Sequence, residues 1–180
     1  MSNFDIIVAV DIDAVISSGQ YSTIDTIPTQ VKTASDKFIH MLTYQGGSVI
    51  DNGGIKLTLN SVSVGKDILW KTVSLSPEDS DYSIVLTSFK PVNIMGSAEY
   101  LSKAELLTGK KAAPMAMKGD NGIIQITPGL ADYSYWHSSI LKNPMPSYTM
   151  DYDVYFTICQ KGISVAYSKY SHKLILKIGS

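Results

Sequence analysis

The sequence predicts an all-β fold: an antiparallel β-sandwich, jelly-roll-like or Ig-like, with at most one short helix, forming one domain over residues 1–180. Three observations lead there. Apolar residues recur mostly with period two, the period of a strand with one buried face. Clusters of Ser, Gly, Pro, Asp and Asn cut the chain into short segments. Helix signals are few.

Ile6, Val8, Val10 and Ile12 alternate with Asp11, Asp13, Ile7 and Ala9. This predicts a first strand reaching Asp13, with its larger apolar residues inward and both acids on the more polar face. Ser17 to Asp36, rich in Ser and Thr and carrying Pro28, predicts a loop, and Lys37 to Thr43 a strand. Ile55, Leu57 and Leu59 alternate before the apolar phase slips to Val62 and Val64, as a bulge near Asn60 and Ser61 would require. A turn at Gly65-Lys66-Asp67 precedes a strand at Ile68 to Val73, and the turn-rich Ser76 to Ser80 precedes another at Tyr82 to Phe89. Ser97 is placed to cap a short helix through Ala98, Leu101, Ala104 and Leu107. Gly109 to Gly122, with Pro114 and the Lys118-Gly119-Asp120-Asn121-Gly122 turn, predicts a second loop; Ile123 to Thr127 and Tyr133 to Leu141 predict strands.

The strongest alternation lies near the end. Tyr148, Met150, Tyr152, Val154, Phe156 and Ile158 take one face, and Thr149, Asp151, Asp153, Tyr155 and Thr157 the other. A hairpin around Gln160-Lys161-Gly162 then leads into Ile163, Val165 and Tyr167, and a last strand carries Leu174, Leu176 and Ile178.

Composition narrows the function classes. The chain is 44% hydrophobic and 17% charged with mean hydropathy +0.07, which is globular rather than disordered. Its 15 basic residues are all Lys and stand against 16 acidic ones, giving a net charge of −1. Without Arg, the preferred fork-shaped partner of phosphates and guanine edges, and without basic excess, nucleic-acid binding has little electrostatic footing. The single cysteine, Cys159, excludes an internal disulfide and a multi-Cys metal site. Asp5, Asp11 and Asp13 interrupt the apolar start, so neither a signal peptide nor a membrane span is expected, and the cytoplasm is the default location.

Four groups of residues invite chemistry. Asp11-Ile12-Asp13 after a β-branched run imitates the nucleophile strand of dehalogenase-type phosphotransferases, but the crossover helices of that fold are missing. What remains for Asp11 and Asp13 is a polar corner or a weak cation site, with calcium the fitting ion. His137 and Ser138, as strand neighbours, face opposite ways; only Ser139 shares the side of His137, and no Gly-x-Ser-x-Gly elbow exists. His40, His137 and His172 show no ligand spacing. Asp151 and Asp153 share a face roughly 7 Å apart, within glycosidase range on distance alone, although polar residues there are what an exposed face requires. The 11 Tyr and 2 Trp suggest, as an alternative, a shallow sugar site with Trp70, Trp136, Tyr135, Asp132, Asp151 and Asp153 as contacts, calcium-assisted in a lectin-like manner.

Several segments in order resemble one family: Asp5 to Asp13, Val64-Gly65-Lys66-Asp67-Ile68-Leu69-Trp70, Val73-Ser74-Leu75-Ser76, Asp81-Tyr82-Ser83-Ile84-Val85-Leu86 and Tyr152-Asp153-Val154-Tyr155-Phe156. They look like the AidA/PixA family of bacterial inclusion-body proteins. The resemblance spans nearly the whole chain as a diffuse pattern rather than a catalytic signature. It implies a β-sandwich, no established catalytic centre, and self-association into a homo-oligomer or cytoplasmic inclusions; no cofactor is expected. One branch of that family is rich in methionine, whereas this chain has only 7.

Overall fold

The computed structural model describes residues 3–32, 38–45, 48–51, 56–77, 80–112, 115–118, 124–127 and 129–178. The elements in order are β1 (Phe4–Val10), α1 (Ile12–Ser17), β2 (Thr29–Gln30), β3 (Ile39–Gln45), β4 (Ser48–Asp51), β5 (Lys56–Leu59), β6 (Asp67–Ser74), β7 (Tyr82–Pro91), α2 (Ile94–Ser97), β8 (Glu105–Ala112), β9 (Met115–Lys118), β10 (Ile124–Thr127), β11 (Leu130–Ser139), β12 (Ser147–Gln160) and β13 (Ile163–Lys177). The protein is all-β, in a sandwich-like arrangement of two mixed sheets that does not close into a barrel. One sheet runs β4-β3-β1-β6-β11-β8; the other runs β2-β13-β12-β7, with β5 also on β13. Most pairs are antiparallel as expected, but β1 and β6 are parallel, as are β2 and β5 with β13.

Alternation delivers the core. Ile6, Val8 and Val10 from β1, Ile68 and Trp70 from β6, and Met150, Tyr152, Val154, Phe156 and Ile158 from β12 are all buried in one apolar cluster. Trp70 and Phe89 bridge the sheets with ring centroids 4.8 Å apart. The β12–β13 hairpin closes on two residues, Lys161 and Gly162, both at positive φ (50° and 81°). That is the signature of a turn whose twist matches the flanking strands.

Six expectations are corrected. The first strand stops at Val10, because Asp11 caps α1: its carboxylate accepts from the Ala14 amide at 2.9 Å. Ile12 is still buried, now from a helix. The phase slip after Leu59 comes from Ser61 at φ 57° just past the end of β5, rather than from a bulge within a strand. The helix starting at Ser97 does not form; a short helix ends there, and Glu105 to Ala112 is a strand. Within the expected loop at 109–122, residues 109–112 and 115–118 are strand, while 119–122 lie outside the described residues. The final hairpin arm is one continuous 15-residue strand whose inward face carries Ala166, Ser168, Tyr170 and His172, leaving Ile163 exposed. The last strand ends at Lys177, and Ile178 beyond it is exposed.

β8 and β11 form an antiparallel ribbon, and β9 pairs with β10 in a separate two-stranded sheet. Every residue of β8 except Gly109 is exposed, and on β11 Leu130, Ala131, Asp132 and Ser134 are exposed as well. A Cβ on Gly109 would meet the Tyr133 ring at 3.0–3.1 Å. The ring therefore covers the glycine's bare backbone across the strands.

Candidate functional site

Among the described residues, a cleft of about 1030 Å³ opens at the edge between the sheets. β7 and β12 form one wall, through Phe89, Lys90, Tyr152, Asp153 and Tyr155; the segment entering β8, with Leu101 and Glu105, and Trp136 of β11 form the other. Phe89, Leu101 and Tyr152 are buried, so the floor is apolar. Trp136 is held by its indole N–H, which donates to the Leu86 carbonyl at 3.0 Å, and by an edge contact with Phe89 at 6.0 Å. Asp153 is already engaged: Lys169 donates to one oxygen at 2.9 Å and the Ser171 hydroxyl to the other. That carboxylate raises the pKa of the Lys169 ammonium above its ordinary value. Lys90 and Lys169 both lie over the Tyr155 ring, at 4.6 and 5.7 Å.

Of the six expected sugar contacts, the structure brings only Trp136 and Asp153 into this cleft. Trp70 is 1% exposed and has no face open to a ligand. Tyr135 stacks on Tyr133 at 5.4 Å. Asp132 sits on the β8–β11 ribbon 3.8 Å from Lys110, and Asp151 is exposed, 3.9 Å from Lys173. Tyr152 and Tyr155 are cleft residues that sequence reasoning did not single out. Their signal was present, since they flank Asp153 on the most regular strand of the chain.

A second polar group lies on the outer face of the six-stranded sheet. Asp67 accepts from Ser139 at 2.8 Å, and its carboxylate stands 3.0 Å from Nε2 of His137. The Ser139 hydrogen bond is the largest influence holding the Asp67 carboxyl below its ordinary value; partial burial opposes this and the His137 imidazole assists. Asp67 takes the middle position, so the hydroxyl is bonded to the acid and not to the imidazole. A serine nucleophile needs the reverse order, with the base between hydroxyl and acid. His137 and Ser139 do share a face, as alternation predicts, and Asp67 is the partner that sequence spacing could not reveal.

Asp11 and Asp13 sit in and beside the cap of α1. The Asp13 amide donates to Ser76 Oγ at 3.4 Å, and the Ser80 hydroxyl donates to its carboxylate at 3.5 Å. The pair thus ties α1 to the segment between β6 and β7. Among the described residues no three His, Cys, Asp or Glu side chains converge on a common point. Asp11→Ala is expected to cost about 1 kcal/mol of stability through the lost cap. Urea titrations with and without calcium check the role: an equal loss in both fits a cap, and a loss seen only with calcium fits a cation site.

Two mixed sheets on one apolar core, with acids tied up in caps, ion pairs and a serine–aspartate–histidine knot, define a β-sandwich protein without an assembled Ser-His nucleophile pair among the described residues. The chain belongs to the PixA family of inclusion body proteins, whose sequence model matches residues 2–175. It is similar to the crystal structure of an inclusion body protein (PixA) from Burkholderia cenocepacia J2315, with a TM-score of 0.67 and 12% identity over 99% of this chain and 96% of that one. At that identity the likeness speaks for the fold alone. No curated protein matches the chain. No helix among the described residues is long and apolar enough to cross a membrane.

Proposed function

We propose that this protein is a non-enzymatic, self-associating member of the inclusion body family that accumulates in the bacterial cytoplasm. Family membership over residues 2–175 carries this reading. A net charge of −1 supports it, because weak mutual repulsion favours association. So do Leu106, Leu107 and Leu130, apolar side chains 52%, 37% and 72% exposed on one ribbon. Light scattering over a wide concentration range is expected to show mass rising above 19.6 kDa. A strictly monomeric protein throughout would overturn the reading.

The cleft favours a second reading, a carbohydrate-binding module. Trp136 and Tyr155 offer rings over the apolar floor that Tyr152 helps to form, and Asp153 an acid, in a space large enough for a small glycan. A glycan array with and without a chelator separates the two readings. Binding abolished by Trp136→Ala supports the cleft, calcium dependence adds an ion to it, and a blank array removes it.

A further inference from the structure

We propose that the free edge of β8 is the self-association surface, pairing antiparallel with β8 of a second copy across a two-fold axis through Thr108. This interface rests on the self-association reading and gives it a location. β8 ends its sheet: β11 is on one side, and no strand pairs with the other among the described residues. The outer backbone groups of Glu105–Ala112 therefore form a template for strand addition.

Symmetry and charge fix the occupant and the register. A two-fold axis normal to a sheet preserves its faces, so odd-numbered residues must meet odd and even must meet even. With Thr108 on the axis, Leu107 stands opposite Gly109, Leu106 opposite Lys110, and Glu105 opposite Lys111 of the other copy. Glu105 and Lys111 are exposed, and neither has an ion-pair partner among the described residues. The pairing gives each the opposite charge, twice over. Lys110, which reaches Asp132 in its own chain, lays its aliphatic stem over Leu106.

The neighbouring registers are worse. An axis through Leu107 sets Lys111 against Lys103, a like-charge pair, and leaves Glu105 opposite Gly109. An axis through Gly109 sets Lys111 against Leu107 and gives Glu105 no cation. A parallel, in-register arrangement would place Glu105 on Glu105 and lysine on lysine. Edge lysines ordinarily deter such pairing; here their positions leave one register open, which is specificity by exclusion of the others. The product is a single sheet running through both copies, β6-β11-β8 continuing into β8-β11-β6 of the second.

Thr108→Cys tests the axis. In a Cys159→Ser background, opposed Cα atoms about 4.5–5.5 Å apart fall within disulfide reach. Mild oxidation is expected to convert this variant to a covalent dimer. Leu107→Cys is expected to stay uncrosslinked, because its copies lie about 8 Å apart along and across the strands. Lys111→Glu is expected to weaken the dimer about tenfold in sedimentation, and the Glu105→Lys/Lys111→Glu swap to restore it. A dimer that forms but shows neither crosslinking of the Thr108→Cys variant nor charge rescue overturns this interface while leaving self-association standing. A wild-type monomer at every concentration overturns both.

Discussion

Trp70→Ala is expected to lower the unfolding free energy by about 3–5 kcal/mol, as large aromatic truncations in packed cores do. Trp70 is 1% exposed and joins the sheets through Phe89, which in turn meets Trp136. Removing its ring leaves a cavity at the centre of the sandwich that strands on both sides are too constrained to fill. The indole N–H is buried with no hydrogen-bond partner among the described residues. Trp70→Phe removes that unpaired group along with some volume, so its loss is expected to be much smaller than that of Ala. Urea midpoints at unchanged m report both. A loss under about 1 kcal/mol for Ala would contradict a core position.

Stability is expected to fall by about 3 kcal/mol between pH 6.5 and 4 on account of His172. Burial pushes this imidazole down to about 4; Asp153 and a backbone hydrogen bond at Tyr152 oppose the shift without reversing it. His172 is 3% exposed between Tyr152 and Tyr170, at ring distances of 6.0 and 5.8 Å, and its Nδ1 has no hydrogen-bond partner among the described residues. The sign follows from which state binds the proton first. Below the ordinary value of 6.5 the unfolded chain takes it up while the native ring stays neutral until about pH 4, so acid favours unfolding across that window. The slope fades above 6.5 and is gone about one pH unit higher, where both states are neutral. Asp67 acts in a separate range: its lowered pKa removes stability only as pH falls below about its ordinary 3.8. His172→Leu is expected to flatten the slope between pH 6.5 and 4 and to leave the lower limb intact. Parallel losses in wild type and variant would remove His172 as the cause.

Strands with strictly alternating apolar residues were legible. β12 was, because every inward position from Met150 to Ile158 is apolar; β1 was legible only as far as Val10, where the cap of α1 ends it. β13 was half legible. Its inward face holds Ala166, Ser168, Tyr170 and His172, residues that look polar or small in sequence. The alternation of Ile163, Val165 and Tyr167 suggested the wrong face: Ile163 is exposed, and the other two are only partly buried. β8 was missed, since Glu105–Ala112 is exposed on both faces and has no periodicity to display. Asp11 was misplaced for a related reason: a cap is a local hydrogen bond, and only its position after Val10 distinguishes it from one more outward strand residue.

The candidate site was less legible than the fold. Trp136 and Asp153, both candidates from sequence, do share a cleft. Their neighbours Phe89, Leu101 and Glu105 come from segments remote in sequence. Trp70 and Trp136 looked equivalent as exposed aromatic candidates, yet they are cross-strand partners of which one is sealed and the other lines the cleft.

By itself the sequence determined the all-β class, the inward faces of its most regular strands, the weak net charge and the family pattern, because these depend on period, composition and local order. Tertiary structure alone decided the parallel β1–β6 pairing, the burial of Trp70 and His172, the Asp67 bridge between His137 and Ser139, and the free edge of β8. Each depends on which distant strand lies alongside, and on whether a second sheet covers a given face. Local periodicity carries no record of that choice.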